Sequence, residues 1–287
     1  MKKIGKKRVW IVLILFLLAA AEGYFLWLKA KPTKIALVNF SGYKTAPMFD
    51  TVQDRFVRVD RVEWDDRIGE TLRKYDIVLF QGMGMTVSEK QKAAVAELKR
   101  RGIHLYVHQD SRVESQFGTV SPEHKRKIAG YFANSSRENY RRLWSYLRYE
   151  IDGKRLFASK PEAPRILPAD ALFHTKPEAL FQKYQDYLAY YKKSGCYKAG
   201  APTVALIVPG DGGSARGEPG YLTGIIRSLE SHGLNVVGIS GGARRLAFLK
   251  EISPDLAVFF PHGRLGDENG TETLDFLKNR NIPLLVR

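Results

Sequence analysis

The chain begins with one long apolar run, and shorter apolar and amphipathic runs alternate through the rest of it. From residue 9 to residue 28, every residue except Glu22 and Gly23 is apolar or aromatic. At about 1.5 Å per helical residue, this run reaches about 30 Å, the thickness of the hydrocarbon core of a bilayer. Basic residues crowd the tail formed by residues 1–8, and such tails stay in the cytoplasm. The pattern predicts a single-pass transmembrane anchor over residues 9–28 in the inner membrane, with the body in the periplasm.

A cleaved signal peptide is the alternative interpretation of the same run. Residues 9–18 would form its apolar region, and Ala19-Ala20-Ala21 would form its small-residue cleavage site. Apolar residues resume from Tyr24 to Leu28, which favours an uncleaved anchor. In both interpretations, the body of the protein is exported from the cytoplasm.

Strand-like and helix-like runs alternate after the anchor. Four short β-rich runs cover residues 34–40, 56–62, 76–80 and 103–108. In the helix before the last of them, Ser88 is an N-cap candidate with Gln91 three residues on, as in a capping box, and Gly102 ends the helix. Strands that alternate with helices favour a parallel sheet. We therefore expect a first α/β domain over residues 34–115.

The second half of the body repeats this architecture. Helical patterns and a connector marked by Pro161, Pro164 and Pro168 predict a helical connection over residues 116–195. Four further strand-like runs, separated by helices, predict a second α/β domain over residues 201–287. The expected fold class is therefore α/β, with an N-terminal transmembrane helix followed by two doubly wound parallel-sheet domains. No covering helix follows the last strand-like run, so we expect the second domain to be incomplete.

Composition and charge limit the chemical classes of partner that the chain is expected to bind. The 287 residues include 46 Lys or Arg and 30 Asp or Glu, so the formal net charge is +16, which favours anionic partners. Arginines and aromatic residues interleave from Tyr140 to Trp144, as in nucleic-acid-binding segments, but export argues against nucleic acid. An amphipathic helix with its arginines in solvent is preferred, and anionic lipid or a carboxylate-bearing ligand is the alternative partner. The single cysteine, Cys196, excludes an intrachain disulfide framework.

A glycine-rich loop follows the first strand-like run of the second domain. Gly210, Gly212 and Ala215 fit the G-x-G-x-x-A pattern of dinucleotide-binding loops. Pro219 places the helix start late, and no acidic residue follows the next strand to bind a ribose, so we interpret the loop as a ligand-facing turn. Its candidate ligand-binding residues are Gly210, Asp211, Gly212 and Gly213.

NADP binding is an alternative interpretation of the same loop. Ser240, Arg244 and Arg245 follow the next strand, where they would meet a 2′-phosphate. Arg244 is for this reason a further ligand-binding candidate. The sequence contains no G-x-x-x-x-G-K-[ST] motif, so it has no Walker-type ATP site.

Three histidines are candidates for chemistry. His104 and His108 lie on one face of a predicted strand, with Asp110 just beyond, and form a candidate set of ligands for a divalent metal. Residues four apart on a strand share one ion poorly, so a buried strand with hydrogen-bonded histidines is the alternative. His262 follows a strand of the second domain, where parallel sheets place functional loops, and its imidazole is a candidate proton carrier.

Six segments between Ala171 and Arg287 carry a family resemblance. They are Leu172-Phe173-His174, the tyrosine-rich helix with Tyr184, Tyr187, Tyr190 and Tyr191, Val204 to Val208, Ile226 to Asn235, Pro254 to Val258, and Ile282 to Leu285. Together they resemble the large subunit of cobaltochelatase (CobN) and the related magnesium chelatase H subunit. With an export anchor ahead of it, the chain is similar to the membrane-attached CobN-like proteins of bacterial haem-uptake systems, the HmuS type.

The resemblance implies a tetrapyrrole substrate, a porphyrin or haem, into which or from which a metal passes. Exchange of a metal for two pyrrole protons needs a proton carrier, an apolar cleft and cations for the propionates. His262, the tyrosine-rich helix, and Arg264 or Arg244 are candidates for these roles.

The size of the chain limits what it is expected to do alone. Family members are much longer, so the resemblance implies an amino-terminal portion that is inactive by itself. It would work with the remaining chelatase domains or a downstream chain, within a haem-uptake system. A membrane-tethered periplasmic ligand-binding module without catalysis is the alternative.

Overall fold

Two compact units divide the chain, and each contains its own β-sheet. The computed structural model describes residues 6–109, 116–176, 179–208, 220–260, 265 and 271–286. The first unit comprises residues 1–41, 52–125 and 142–162, and the second comprises residues 42–51, 126–141 and 163–287. The chain therefore passes from one unit to the other several times along its length.

The short apolar runs of the first unit form a four-stranded parallel sheet. Its strands are β1 (Thr33–Val38), β2 (Val57–Val62), β3 (Ile77–Gln81) and β4 (His104–His108). The strand order is β2-β1-β3-β4, so the chain goes from β1 to one side and then crosses to the other. Each strand lies within two residues of its predicted run, because apolar runs bounded by turns are a strong strand signal.

The described residues also form ten helices, which precede or connect the strands. They are α1 (Lys6–Ala30), α2 (Gly42–Phe49), α3 (Ile68–Leu72), α4 (Glu89–Arg100), α5 (Pro122–Ala133), α6 (Arg137–Tyr146), α7 (Tyr184–Lys193), α8 (Gly220–Ser231), α9 (Arg245–Ile252) and α10 (Thr271–Asn279). The capping box predicted for α4 is confirmed: the Gln91 N–H donates to Ser88 Oγ at 3.2 Å, and the Ser88 N–H donates to Gln91 Oε1 at 2.9 Å. This cap satisfies two amide groups at the helix start.

The second unit contains a six-stranded mixed sheet. Its strands are β5 (Ala171–Phe173), β6 (Leu180–Phe181), β7 (Thr203–Val208), β8 (Asn235–Ser240), β9 (Leu256–Phe259) and β10 (Leu284–Val286). Their order is β10-β9-β7-β8-β5-β6. The four strands β7 to β10 are parallel and match the predicted ones, so the expected α/β class is confirmed.

The sheet is wider than the sequence indicates. β5 pairs antiparallel with β8, and β6 pairs antiparallel with β5, so two strands extend the parallel set at one edge. Within residues 116–195, where we expect a helical connection, β5 and β6 form short strands and the tyrosine-rich helix α7 begins only at Tyr184. Strands of two and three residues carry too little alternation to be seen in a sequence.

The amphipathic helix predicted around residue 140 is present, and its apolar face is buried. That face consists of Tyr140, Leu143, Trp144, Leu147 and Ile151. The helix α6 ends in a π-helical turn, Leu147–Ile151. The wider i→i+5 turn changes which side chains share a face. Arg148 in this turn is fully buried, whereas Arg141 on the regular part of the helix is exposed.

The buried guanidinium of Arg148 donates to groups at the end of α1, at the starts of β1 and β2, and in the loop that follows the π-helical turn. Its acceptors are the carbonyl oxygens of Lys29 at 3.3 Å, Lys31 at 2.9 Å, Phe56 at 3.2 Å and Leu156 at 3.1 Å, and Thr33 Oγ1 at 3.3 Å. A buried charge is tolerated only when hydrogen bonds replace its lost water. Arg148 thereby holds the end of α1 and the starts of β1 and β2 together.

The helix α1 contains the predicted anchor. Its 18-residue segment Leu13–Ala30 has no buried residue, and within the described residues it is the one helix long and apolar enough to cross a membrane. Only Lys31 and Pro32 separate α1 from β1.

Gly238 in β8 generates a prediction about packing in the second sheet. Phe173 of β5 lies opposite Gly238, and a Cβ added at Gly238 would lie 2.5 Å from the Phe173 ring. Both residues are buried, so the ring cannot move aside. We expect Gly238→Ala to lower the free energy of unfolding of the detergent-solubilised full chain by about 1–3 kcal/mol, measured by urea titration.

Gly224 in α8 supplies the matched control. A Cβ there would contact nothing within 4 Å, and Ala is the better helix former by about 0.5–1 kcal/mol. Gly224→Ala should leave the stability unchanged or raise it. Equal stability losses in the two variants would contradict the assigned pairing of β5 with β8.

Candidate functional site

The carboxyl edge of the second parallel set has the geometry of a ligand site. β7 is central, and its chain continues to β8 on one side, whereas β9 on its other side continues to β10. The connections after β7 and β9 therefore leave in opposite directions, and such switch points are where open α/β sheets bind ligands. The two strands stay paired to this edge, since the Phe260 N–H donates to the Ile207 carbonyl at 3.0 Å.

Most of the residues predicted for this site follow those two strands directly. Gly210, Asp211, Gly212 and Gly213 come after β7, and His262 and Arg264 come after β9. All six lie outside the described residues. The topology establishes that the strands preceding them are neighbours.

The turn after β8 is built around Gly241, which has a φ of 94°. The Arg244 N–H donates to Asp170 Oδ1 at 3.2 Å. Arg245 is buried and donates to the carbonyl oxygens of Gly241, at 2.7 Å, and of Leu265. Arg245 therefore ties the turn after β8 to a residue that follows β9.

Arg244 and Arg245 consequently have different roles. The Arg244 guanidinium lies 4.7 Å from the centre of the Phe248 ring and is partly exposed, so it is available to an anionic ligand. The side chains of Arg245 and Ser240 are 5% and 1% exposed, and Ser240 Oγ lies 3.5 Å from the Ala171 carbonyl oxygen. Of the three residues considered for a 2′-phosphate, Arg244 is the one presented to solvent.

The two candidate metal ligands lie at opposite ends of β4 in the first unit. His104 begins the strand and His108 ends it, so their Cα atoms are about 13 Å apart at the usual strand rise. His108 stacks on Phe40, with ring centres 6.5 Å apart. In the part of the chain that the structure describes, no three His, Cys, Asp or Glu side chains are grouped so as to hold a metal ion. Asp110 lies outside the described residues.

A buried polar cluster in the second unit is not indicated by any sequence motif. His174 Nε2 lies 2.7 Å from Glu230 Oε1, and the Tyr191 hydroxyl donates to the same oxygen at 2.8 Å. The Tyr187 hydroxyl donates to the Val236 carbonyl at 2.5 Å, and the Val236 N–H donates to the Tyr191 hydroxyl at 3.1 Å. Val236 is the second residue of β8, so the cluster lies at the amino edge of the sheet.

This position changes the role of the tyrosine-rich helix. Tyr187 and Tyr191 are 0% and 1% exposed and join the hydrophobic core of the second unit. They are therefore structural residues and do not line a cleft for a macrocycle. The signal for this was present in the sequence, because tyrosines at positions 184, 187 and 191 follow helical spacing.

Burial of tyrosines generates a prediction about alkaline stability. Burial, and then the 3.0 Å hydrogen bond to Asp60, raises the pKa of Tyr75 to about 12. Burial is also the largest cause of the raised pKa values of Tyr187 and Tyr191. Unfolded tyrosines ionise near pH 10, so the unfolded state loses protons first. The stability from these hydroxyls is complete below about pH 10 and is lost as the pH rises towards 12.

Urea titrations of the full chain at several pH values should therefore show a falling free energy of unfolding above about pH 10. Tyr75→Phe removes one ionising hydroxyl, so the decline should be shallower in that variant. A stability that stays constant to pH 12 would show that these hydroxyls are not protected by the fold.

Comparisons with known proteins place the chain in a family. Residues 129–287, more than half of the chain, match the family model described as CobN/Magnesium Chelatase. The chain belongs to the CobN/magnesium chelatase family, as the resemblance in the sequence indicated.

A solved structure has a similar fold. The catalytic subunit of cobaltochelatase from Mycobacterium tuberculosis superposes with a TM-score of 0.55 at 16% identity, covering 89% of this chain and 21% of that chain. At this identity the likeness concerns the fold alone.

A curated protein is similar over a shorter stretch. The NAD kinase of Methylococcus capsulatus is 34% identical over 110 residues, which cover 34% of this chain and 33% of the kinase. The chain thus spans about a third of that protein and about a fifth of the cobaltochelatase subunit.

Proposed function

We propose that this protein is a membrane-anchored part of a chelatase that acts on a tetrapyrrole, a porphyrin or haem, inserting a metal ion into the ring or removing one. Membership of the CobN/magnesium chelatase family is the observation that carries this proposal. The switch point between β7 and β9 supports it, because it gives the family domain a place for a ligand.

The candidate residues match what metal exchange requires. A metal that enters or leaves the ring is exchanged for two pyrrole protons, so a group that moves protons near neutral pH is needed beside the ring. We assign this role to His262. Arg244 and Arg264 would bind the propionate carboxylates, and the backbone N–H groups of residues 210–213 would line the approach to the ring.

We further propose that the chain needs additional chelatase domains to complete the reaction. The share of the cobaltochelatase subunit that it spans, 21%, supports this view. The full chain would bind the macrocycle weakly, and turnover would depend on a second chain of the same family. The exposed apolar helix α1 supports a location at the inner membrane, with the body in the periplasm.

Spectroscopic titration of the full chain in detergent tests the proposed site. We expect haem and metal-free protoporphyrin to shift their Soret bands on binding. The double variant His262→Ala/Arg264→Ala should weaken binding by about tenfold or more, because a hydrogen bond to a charged group is worth about 1.5–3 kcal/mol. His232→Ala is the matched control, since His232 is exposed at the end of α8 and its Nδ1 lies 2.8 Å from the Ser228 carbonyl oxygen.

The outcomes separate the proposed activity from its rivals. Appearance of porphyrin fluorescence from haem, after addition of the complementary chain, supports a chelatase, and a Soret shift without conversion indicates a tethered receptor. Equal binding by the double variant and by His232→Ala would contradict the assigned site. No shift with either pigment would contradict a tetrapyrrole substrate.

NADP binding is a second candidate function, which the similarity to an NAD kinase over 110 residues favours. Arg244 is the accessible cation for a 2′-phosphate. NADPH should then quench the protein fluorescence in the parent chain but not in Arg244→Ala. Quenching by NADPH together with an absent Soret shift would replace the tetrapyrrole proposal with this one.

A further inference from the structure

The amino edge of the first sheet is joined directly to the end of the apolar helix α1. Two residues, Lys31 and Pro32, link α1 to β1. Besides the Arg148 bonds, the Lys29 ammonium donates to the Gly153 carbonyl at 3.2 Å, and the Lys154 ammonium lies 3.4 Å from the Pro32 carbonyl oxygen. These contacts join the link between α1 and β1 to the body of the first unit.

All four strands of the sheet begin close to this junction. β1 is an inner strand, β2 and β3 are its neighbours, and β4 is the next one beyond β3. Neighbouring strands are about 4.8 Å apart, so every strand begins within about 10 Å, sideways, of the strand that continues α1. If α1 crosses a bilayer, as proposed above, this whole edge reaches the lipid headgroups.

An aromatic pair projects from the same edge beside β2. The ring of Phe157 is 66% exposed and stacks on Phe56, with ring centres 5.5 Å apart. Phe157 has a φ of 58°, an unusual backbone conformation for a bulky residue. The Arg55 guanidinium lies 4.8 Å from the centre of the Phe56 ring, so a cation accompanies the exposed aromatic surface.

Basic groups continue along the edge towards β4. A cleft of about 430 Å³ opens at the starts of β3 and β4, and Arg73, Arg101 and His104 contribute to its lining. Two carboxylates in its wall, Asp76 and Asp152, lie 3.2 Å and 2.8 Å from the Lys154 ammonium, which offsets one of their two negative charges.

The positively charged side chains near this edge outnumber the carboxylates. Arg101 pairs with Glu97 at 2.9 Å, and Arg155 lies 3.6 Å from Glu150 in an exposed pair. Asp54 accepts the Phe56 N–H at 2.8 Å. Beyond these pairs, Lys29, Lys31, Arg55 and Arg73 contribute four positive charges, against two carboxylate charges left over from Asp54 and from the Asp76 and Asp152 pair. An exposed aromatic residue flanked by cations is the composition of a surface that lies in the headgroup region of an anionic membrane.

We propose that this amino edge, defined by Phe157, Arg55, Arg155 and the Arg73 cleft, rests on the bilayer and binds the headgroups of anionic phospholipids. The inference depends on the proposed membrane anchor and adds an orientation to it. The carboxyl edge of the same sheet, where Met83 follows β3 and is 59% exposed, then faces away from the membrane. Phe157 inserts at the level of the headgroups, and the cations contact the lipid phosphates.

Site-directed spin labelling of the full chain in lipid vesicles tests this orientation. The single cysteine is first replaced by Cys196→Ser, and nitroxide labels are then attached to Phe157→Cys or to the matched control Met83→Cys. In phosphatidylcholine vesicles that contain phosphatidylglycerol, we expect the label at 157 to be relaxed several-fold more by oxygen than by a water-soluble nickel complex. The label at 83 should show the opposite preference.

Charge reversal tests the headgroup contact. Arg55→Glu/Arg155→Glu should return the label at 157 to water-like accessibility, and omission of phosphatidylglycerol should have a similar effect. Arg67→Glu/Lys90→Glu is the matched control, because both residues follow strands at the carboxyl edge and are exposed. This control should leave the label at 157 in lipid.

Failure of the contact and failure of the anchor give different results. Release of the protein from vesicles by alkaline carbonate would overturn the anchor and this inference together. Retention in the vesicles with both labels in water would overturn the contact alone. Protection of the label at 157 from both relaxing agents would indicate a protein partner, such as a second copy, and would also overturn the lipid contact.

Discussion

The position of the proposed ligand site depends on the pairing of β7 with β8 on one side and with β9 on the other. Parallel strands end at the same edge of the sheet. The connection after β7 runs to one side of the sheet and the connection after β9 runs to the other, so a gap is left between them. The sheet therefore places two sequence segments, residues 209–219 and 261–264, after adjacent strands although they are far apart in the chain. The family domain acquires its proposed ligand site from this topology, since neither segment contains a specific motif by itself.

Each unit contains a buried arginine that hydrogen-bonds to backbone segments at one edge of its sheet. Arg148 gathers carbonyl oxygens from the end of α1 and from residues before β1 and β2. Arg245 gathers those of Gly241 and Leu265 beside the proposed site. A guanidinium presents several donors in one plane, so one side chain can satisfy carbonyl groups from separate segments. In both arginines, hydrogen bonds to backbone carbonyl groups replace the water that the guanidinium loses on burial. Both charges therefore have a structural role.

The fold was largely predictable from the sequence, because β7 to β10 and the first sheet are built from apolar runs bounded by helices. The strands β5 and β6 were missed, since three and two residues show no periodicity. The burial of Arg148 was missed because a π-helical turn alters the face on which residues lie. The candidate site was predictable only as positions after strands. The structural role of Arg245 could be recognised only from its tertiary contacts, because a sequence pattern does not distinguish it from the neighbouring Arg244.

Hydrogen exchange with and without protoporphyrin measures directly whether the segments after β7 and β9 bind a tetrapyrrole together. The full chain in detergent is labelled with deuterium, and peptides that cover residues 209–219 and 261–270 are compared with peptides from the first unit. We expect the macrocycle to slow exchange in both segments together, because they follow adjacent strands at one edge. Slower exchange in only one of them, or in neither, would contradict a tetrapyrrole site at the junction of β7 and β9.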